Sequence, residues 1–448
     1  MQTIDLSLFG SFLLLLVIVG LFRSKRVKSE SAYLFASRKT KWLALTATLV
    51  MTEFNSATLI SFSSMGYAAG FWALILPLVF LVGLIFYALV VAKKWKVFDG
   101  ISVAGFFTEK YGPVLGKMTS ILLLTAMSGF SAIYVKSLTM LFQPIFPMFS
   151  EWGISFILLS LIILMSLRGG LISIIRTDIL SLICLLIFFP VMAFLMSKGE
   201  RAPVEVIGQE VLPLRFVISL IIITMFTYIL APWYGQKIFA AKSTRTAFWS
   251  VLASAFIVYF LYGSAIVATA FFRYRGFEVS SIEQALPALV NTCMPVGLRG
   301  LAYALFFSTS ATTLTGLWNA MAAMWVGDFE KKGEKSSNRS IEATLYFAVA
   351  AFVLSNILID RVFDFLVLFN IPIAALSFGL LAGFYWKRVS PAGVFMSIIM
   401  GCSVGALCYW IFREEGCYTW YWAVYGIPAI FIAGIVTSLL TSPRYETV

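Results

Sequence analysis

The segment at residues 42–69 constrains this chain more than any other. It is apolar and about 28 residues long, which as a helix is ~42 Å against a hydrocarbon core of ~30 Å. Near its middle, in Met51-Thr52-Glu53-Phe54-Asn55-Ser56-Ala57-Thr58, sits a carboxylate. An ionisable group at the centre of a bilayer costs ~2.5–3.5 kcal/mol on insertion scales, so by default it marks a pathway or a binding site. A steep tilt would absorb the excess length, and so would a break at the polar run. A break leaves unpaired backbone carbonyls at mid-membrane beside a carboxylate, which is how an ion site is made.

The rest of the chain is equally apolar. Hydrophobic residues make up 60% of it and charged residues 12%, with a mean hydropathy of +0.94, outside the range of soluble domains. Apolar spans fall at roughly 5–22, 42–69, 72–92, 116–146, 152–167, 174–197, 212–236, 246–272, 297–326, 343–359, 365–386, 391–412 and 419–440. No small-residue cleavage site follows the first, so it reads as a retained helix. The expectation is an all-α polytopic membrane protein of about 13 transmembrane helices, with no appended soluble domain.

The net charge of +12 is a topology signal. With the N-terminus outside, about 24 of the 33 basic residues, Lys237 among them, fall in odd-numbered connections and the C-terminal tail, as the positive-inside rule requires of the cytoplasmic face. That distribution places the chain in a plasma (bacterial inner) membrane with a cytoplasmic C-terminus. It argues against a nucleic-acid partner. The chain has no histidine, which removes serine–histidine hydrolases, histidine metal sites and histidine proton relays. No transition-metal pattern or acid–base dyad is visible, so an enzyme is not expected. Cys293 and Cys417 both fall in outer connections. A disulfide between them is sterically possible, though nothing in the spacing requires it.

Counting spans exposes a symmetry. If the core begins at the span holding Glu53, two groups of five spans are inverted with respect to each other, as in many secondary transporters. The divisions are an extra helix and basic loop over 1–40, repeats over 41–197 and 212–386, and two C-terminal helices over 387–448. The ninth span has its midpoint near Thr312 and Thr313, in Ser308-Thr309-Ser310-Ala311-Thr312-Thr313-Leu314-Thr315. Such hydroxyls often satisfy themselves on the carbonyl one turn back. They are also hard neutral ligands suited to an alkali cation, and Glu53 lies at about the same depth.

Several motifs in order carry a resemblance to the sodium:solute symporter family, which contains bacterial sodium/proline and sodium/sugar symporters. They are Gly66-Tyr67, Phe106-Phe107-Thr108-Glu109-Lys110-Tyr111-Gly112, Gly169-Gly170-Leu171-Ile172-Ser173-Ile174-Ile175-Arg176-Thr177-Asp178, Gln236-Lys237-Ile238-Phe239-Ala240-Ala241-Lys242-Ser243, Asn319 with Asp328, and Phe384-Tyr385-Trp386-Lys387-Arg388. The resemblance implies a LeuT-type 5+5 inverted-repeat core and a sodium ion held by the carbonyls of Met51, Phe54 and Thr309 and the hydroxyls of Thr312 and Thr313. Glu53 falls where proline-type relatives have an aspartate, which implies ion attraction; the bland reading is a protonated, packed carboxyl. Asp178 matches an aspartate associated with inward ion exit or a further sodium site, or else it is a helix-start cap. Thr315 and Gly316 stand where some relatives place two hydroxyls of a second sodium site, so one of those is missing.

The residues that sugar-type relatives use for substrate are absent. Thr58 and Pro77 occupy two of the positions, and the span 246–272 has no lysine. Candidate solute contacts are Asn55, Ser56 and Thr58 in the first core helix and Thr224, Thr227 and Tyr228 in the sixth. Lys136 either meets Glu53 or a solute carboxylate, or snorkels to the outer interface. The expected function is sodium-coupled import of a small solute, an amino acid or small carboxylate rather than a sugar. The expected partners are Na+, the solute and the bilayer, with Na+ as coupling ion and no other cofactor or obligate protein partner. Alternatives are an uncoupled facilitator or sensor of the same fold, or a proton-coupled symporter using Glu53.

Overall fold

A computed structural model describes residues 2–21, 30–166, 170–200, 211–329, 337–359, 362–412 and 418–441. Cys417, Gly169 and the basic runs at 23–28 and 331–335 lie outside the described residues. The longer helices are α1 (Thr3–Leu21), α2 (Trp42–Glu53), α3 (Ser56–Ala69), α4 (Leu78–Phe98), α5 (Val103–Tyr111), α6 (Pro113–Phe142), α7 (Glu151–Ser166) and α8 (Gly170–Ser197). They continue as α9 (Leu214–Tyr228), α10 (Pro232–Ala240), α11 (Thr244–Tyr274), α12 (Leu298–Phe329), α13 (Ser337–Ile357), α14 (Phe365–Tyr385), α15 (Pro391–Phe412) and α16 (Tyr418–Leu440). Among the described residues there is no strand, only one parallel bridge between Thr40 and Ala241.

Each of the thirteen apolar spans has its helix. Ten are long and apolar enough to cross a bilayer alone, and eleven if the bent pair α9–α10 counts as one span. Two others fall outside that set. The apolar part of α7 is short, and the hydroxyl-rich middle of α12 lowers its hydropathy while being wholly buried.

The segment at 42–69 resolves its excess length by breaking. Phe54 leaves the helical region at φ −78°, ψ 87°, and Asn55 is extended. Asn55 caps both halves: its Oδ1 accepts from the Thr58 amide at 2.9 Å, and its Nδ2 donates to the Glu53 carbonyl at 2.8 Å. Tyr262 of α11 completes the closure. Its hydroxyl donates to the Glu53 carbonyl at 2.8 Å and accepts the Asn55 amide at 3.1 Å. An unpaired backbone group inside a bilayer costs several kcal/mol, so these four bonds are what makes a break at this depth tolerable.

A second break separates α9 from α10, with a bend of 50°. Pro232 opens α10 at a position where its missing amide leaves nothing unsatisfied. The Ile229 carbonyl freed there accepts from the buried Trp95 indole at 2.8 Å.

Around these breaks, α11 packs against α2, α3, α4 and α8, while α12 packs against α1, α6, α8 and α13. Asp5 of α1 is buried and accepts from the Gly297 amide at 2.7 Å and the Gly300 amide at 3.4 Å, a negative charge at the N-terminus of α12. The α3–α11 crossing depends on Gly66. A Cβ there would stand 2.4 Å from Thr269 Oγ1 and 2.8 Å from the Ile266 carbonyl oxygen, a backbone atom with no room to retreat. Gly66→Val should therefore lose ~1–3 kcal/mol to overpacking. The check is thermal denaturation of the purified protein, where an unchanged midpoint would refute the close crossing.

Candidate functional site

The break at Phe54–Asn55 turns the end of α2 toward α12. The Met51 carbonyl accepts from Thr313 Oγ1 at 3.0 Å and Thr312 Oγ1 at 3.5 Å. The Thr309 carbonyl accepts from the same two hydroxyls, at 2.8 Å and 3.2 Å, and the Thr52 carbonyl lies 3.4 Å from Thr313 Oγ1. All of these residues are buried. Neutral oxygens gathered in this way suit a small alkali cation, because each hydroxyl can turn its proton aside and offer a lone pair. Phe54 occupies the break, with its ring against Phe189 and Tyr262 at 5.1 and 4.6 Å. Among the described residues no hydrogen bond links it to the three threonines. Thr315 bonds back to the Thr312 carbonyl at 3.1 Å.

The Glu53 side chain takes a different direction. Its Oε1 accepts from the Tyr228 hydroxyl and its Oε2 from the Tyr234 hydroxyl at 3.1 Å, so one residue on each side of the second break grips the carboxylate. Glu53 also lines a cavity of about 80 Å³, together with Asn55, Thr58, Thr224, Tyr228 and Asn370 among polar residues and an aromatic wall. Ser61 and Phe62 belong both to this cavity and to a cleft of about 360 Å³.

Three candidate solute contacts lie elsewhere. Ser56 bonds Ser137 at 2.6 Å, and Thr227 bonds back to the Ile223 carbonyl at 2.9 Å; neither lines the cavity. Lys136 does not meet Glu53. Its ammonium pairs with Glu151 at 2.6 Å, and that carboxylate is half exposed. A rim partner at the start of α7 spares the amine the desolvation that reaching the core would impose.

The family model of the sodium:solute symporter family matches residues 33–401, more than three quarters of the chain. The chain belongs to that family. Among individual relatives in the sodium:solute symporter family, the sodium/glucose cotransporter 1 of Oryctolagus cuniculus is 28% identical over 150 residues, 30% of this chain and 22% of that protein. The chain thus aligns with only about a fifth of that relative's length. The sodium/myo-inositol cotransporter of Homo sapiens is 22% identical over 502 aligned positions, covering 91% of this chain and 67% of that one. A solved Na+-coupled sialic acid symporter shares the fold with a TM-score of 0.83 at 16% identity, over 100% of this chain and 99% of that one. A manganese transporter of Eremococcus coleocola follows at 0.57 and 12% identity, over 89% and 95%.

This member of the sodium:solute symporter family also carries a buried ion pair that sequence reasoning missed. Lys237, counted there with the cytoplasmic basic residues, is only 1% exposed, because α10 runs on past Gln236 into the core. Its ammonium donates to the Thr48 carbonyl at 2.7 Å and to Thr52 Oγ1, and lies 3.8 Å from Asp178 Oδ2. Asp178 is fully buried and also accepts from Thr48 Oγ1. It stands more than two turns inside α8 and so does not cap the start of that helix. The pair stands beside the Thr52 end of the oxygen cluster and joins α2, α8 and α10. A charge left alone by removing one partner of such a pair costs ~3–5 kcal/mol. Lys237→Met and Asp178→Leu should each lose stability by that order, and the double variant should recover most of it. Additive losses, measured by denaturation of all three, would show that the two charges do not depend on each other.

Proposed function

We propose that this protein is a sodium-coupled secondary symporter that imports a small organic solute by alternating access. The observation that carries the reading is the convergence of the Met51 and Thr309 carbonyls with the Thr312 and Thr313 hydroxyls at a helix break next to a small cavity. Membership of a family of sodium:solute symporters supports it. The ion sits at the oxygen cluster and the solute in the cavity lined by Glu53, Asn55, Thr58, Thr224 and Tyr228. An amino acid remains compatible with that wall. A small carboxylate loses its main support, because Lys136 belongs to Glu151.

The two ends of the pathway differ in a way that suits alternating access. One end is the cleft bounded by Leu212, Pro213, Arg215, Glu283 and Trp420. The other is closed where the Thr40 amide bonds the Ala240 carbonyl at 3.0 Å, the Lys242 amide bonds the Thr40 carbonyl at 2.9 Å, and Arg38 pairs with Asp99. On the positive-inside reading the closed end, rich in lysine and arginine, faces the cytoplasm of a bacterial inner membrane and the N-terminus lies outside. Ion release inward then passes the Asp178–Lys237 pair.

The driving force is adequate. One charge moving across ~100 mV supplies ~2.3 kcal/mol. A tenfold sodium gradient adds ~1.4 kcal/mol. Their sum accumulates a neutral solute by a few hundredfold.

The test is uptake of labelled amines, amino acids, carboxylates and sugars into proteoliposomes with and without an inward sodium gradient. Sodium-dependent uptake should fall at least about tenfold in Thr312→Ala/Thr313→Ala, since two of the four clustered ligands are lost. Uptake driven by a proton gradient and lost in Glu53→Gln would favour proton coupling instead. Uptake indifferent to both gradients would leave a facilitator.

A further inference from the structure

We infer that the solute carries an ammonium group, and that this group is seated in the inner cavity against Glu53. This rests on the transporter reading and names the class of its solute.

The first ground is charge. Among the residues that line the cavity, Glu53 is the only carboxylate, and no lysine or arginine is present. The two basic side chains that sequence reasoning or the fold bring near are both committed elsewhere, Lys136 to Glu151 and Lys237 to Thr48, Thr52 and Asp178. Glu53 is only 4% exposed and accepts a hydroxyl on each oxygen, which leaves lone pairs but supplies no opposite charge. A buried carboxylate is stable when a cation completes it. The oxygen cluster of Met51, Thr309, Thr312 and Thr313 has its own hydrogen bonds on the α12 side, none of which reaches the Glu53 carboxylate. Among the described residues no basic side chain pairs with Glu53, and its carboxylate lines the cavity, which is where a cation can reach it.

The second ground is the wall. Phe62, Phe80, Phe130, Tyr134, Tyr228 and Trp233 surround the space. They are locked by ring contacts, Phe80 on Tyr228 at 6.1 Å and Phe130 on Trp233 at 5.5 Å. Aromatic faces attract an alkylammonium through the ring quadrupole and also accept its methyl or methylene groups, which is the composition of an ammonium cage.

The third ground is size. Asn55 is tied to the Thr58 amide and the Glu53 carbonyl, and the Tyr228 hydroxyl to Glu53, so the wall is held in place around a small space. At about 80 Å³ the cavity is far below the ~300 Å³ at which whole drug-sized ligands are enclosed. It holds a head group, with the remainder passing Ser61 and Phe62 into the larger cleft.

The experiment is a binding titration of the full chain in lipid nanodiscs with saturating NaCl, read by tryptophan fluorescence, since Trp233 is in the wall. The probes are choline, its uncharged carbon isostere 3,3-dimethylbutan-1-ol, propylamine, butyrate and glucose. Binding of 22Na+ is measured on the same preparation. An ammonium probe should bind at least about tenfold more tightly than the neutral isostere, and Glu53→Gln should remove that difference. Equal or tighter binding of the isostere, or a preference for butyrate or glucose, overturns the inference. So does the absence of saturable ammonium binding while 22Na+ binding persists. The isostere comparison needs no variant, so a Glu53→Gln protein that fails to fold leaves the inference exposed. Loss of 22Na+ binding alone would sink the coupling reading, and the ligand comparison would still decide the solute class.

Discussion

Everything at the centre of this protein follows from the impossibility of leaving a peptide group unpaired in hydrocarbon. A helix that stops at Glu53 frees carbonyls and amides where no water can reach them. The structure answers with Asn55 and Tyr262, which bond the groups on either side of the gap, and with Thr312 and Thr313, which cover the Met51 carbonyl from α12. The same bonds that make the break tolerable assemble the oxygen cluster. On the proposed reading stability and ion binding are one arrangement, because a hydroxyl that satisfies a carbonyl can offer a lone pair to a cation once its proton turns aside.

The second break repeats the solution with different chemistry. Pro232 removes one amide from the problem, and Trp95 takes the freed Ile229 carbonyl. Its two flanking tyrosines then close on the carboxylate from the first break. Glu53 thus ties the two discontinuous helices together across the cavity. A solute that engages Glu53 would act directly on the contact holding both halves, which links occupancy of the cavity to the relative position of α2–α3 and α9–α10.

Much of this was legible in residue order. The length of the segment at 42–69 and the polar run within it required a tilt or a break, and the hydroxyls of α12 lay at matching depth. Less could be read of the partners. Tyr234, Tyr262 and Trp233 sit in apolar runs where an aromatic residue reads as packing. Lys237 stands in a motif at the end of a span, where a lysine normally reaches the interface; only the extra turn of α10 carries it inward to Asp178. Lys136 had two readings, contact with Glu53 or a solute and the outer rim, and the second holds. Its place within a long apolar run suggested depth, while the face of α6 it occupies turns it to Glu151 at the rim.

The amino-acid sequence by itself determined that the chain is a helical membrane protein of this family, because hydropathy and span length act locally and survive any packing. It also marked where a break would fall if the span broke rather than tilted, since Glu53-Phe54-Asn55 cannot continue an apolar helix at that depth without cost. Only the tertiary structure decided which charges face which. Side-chain pairing depends on helix rotation and on neighbours from 15 to 262 residues away, so residue order alone does not tell a buried ion pair from a rim contact. That is why the oxygen cluster could be anticipated from one helix and its counterpart, whereas the cage around Glu53 could not.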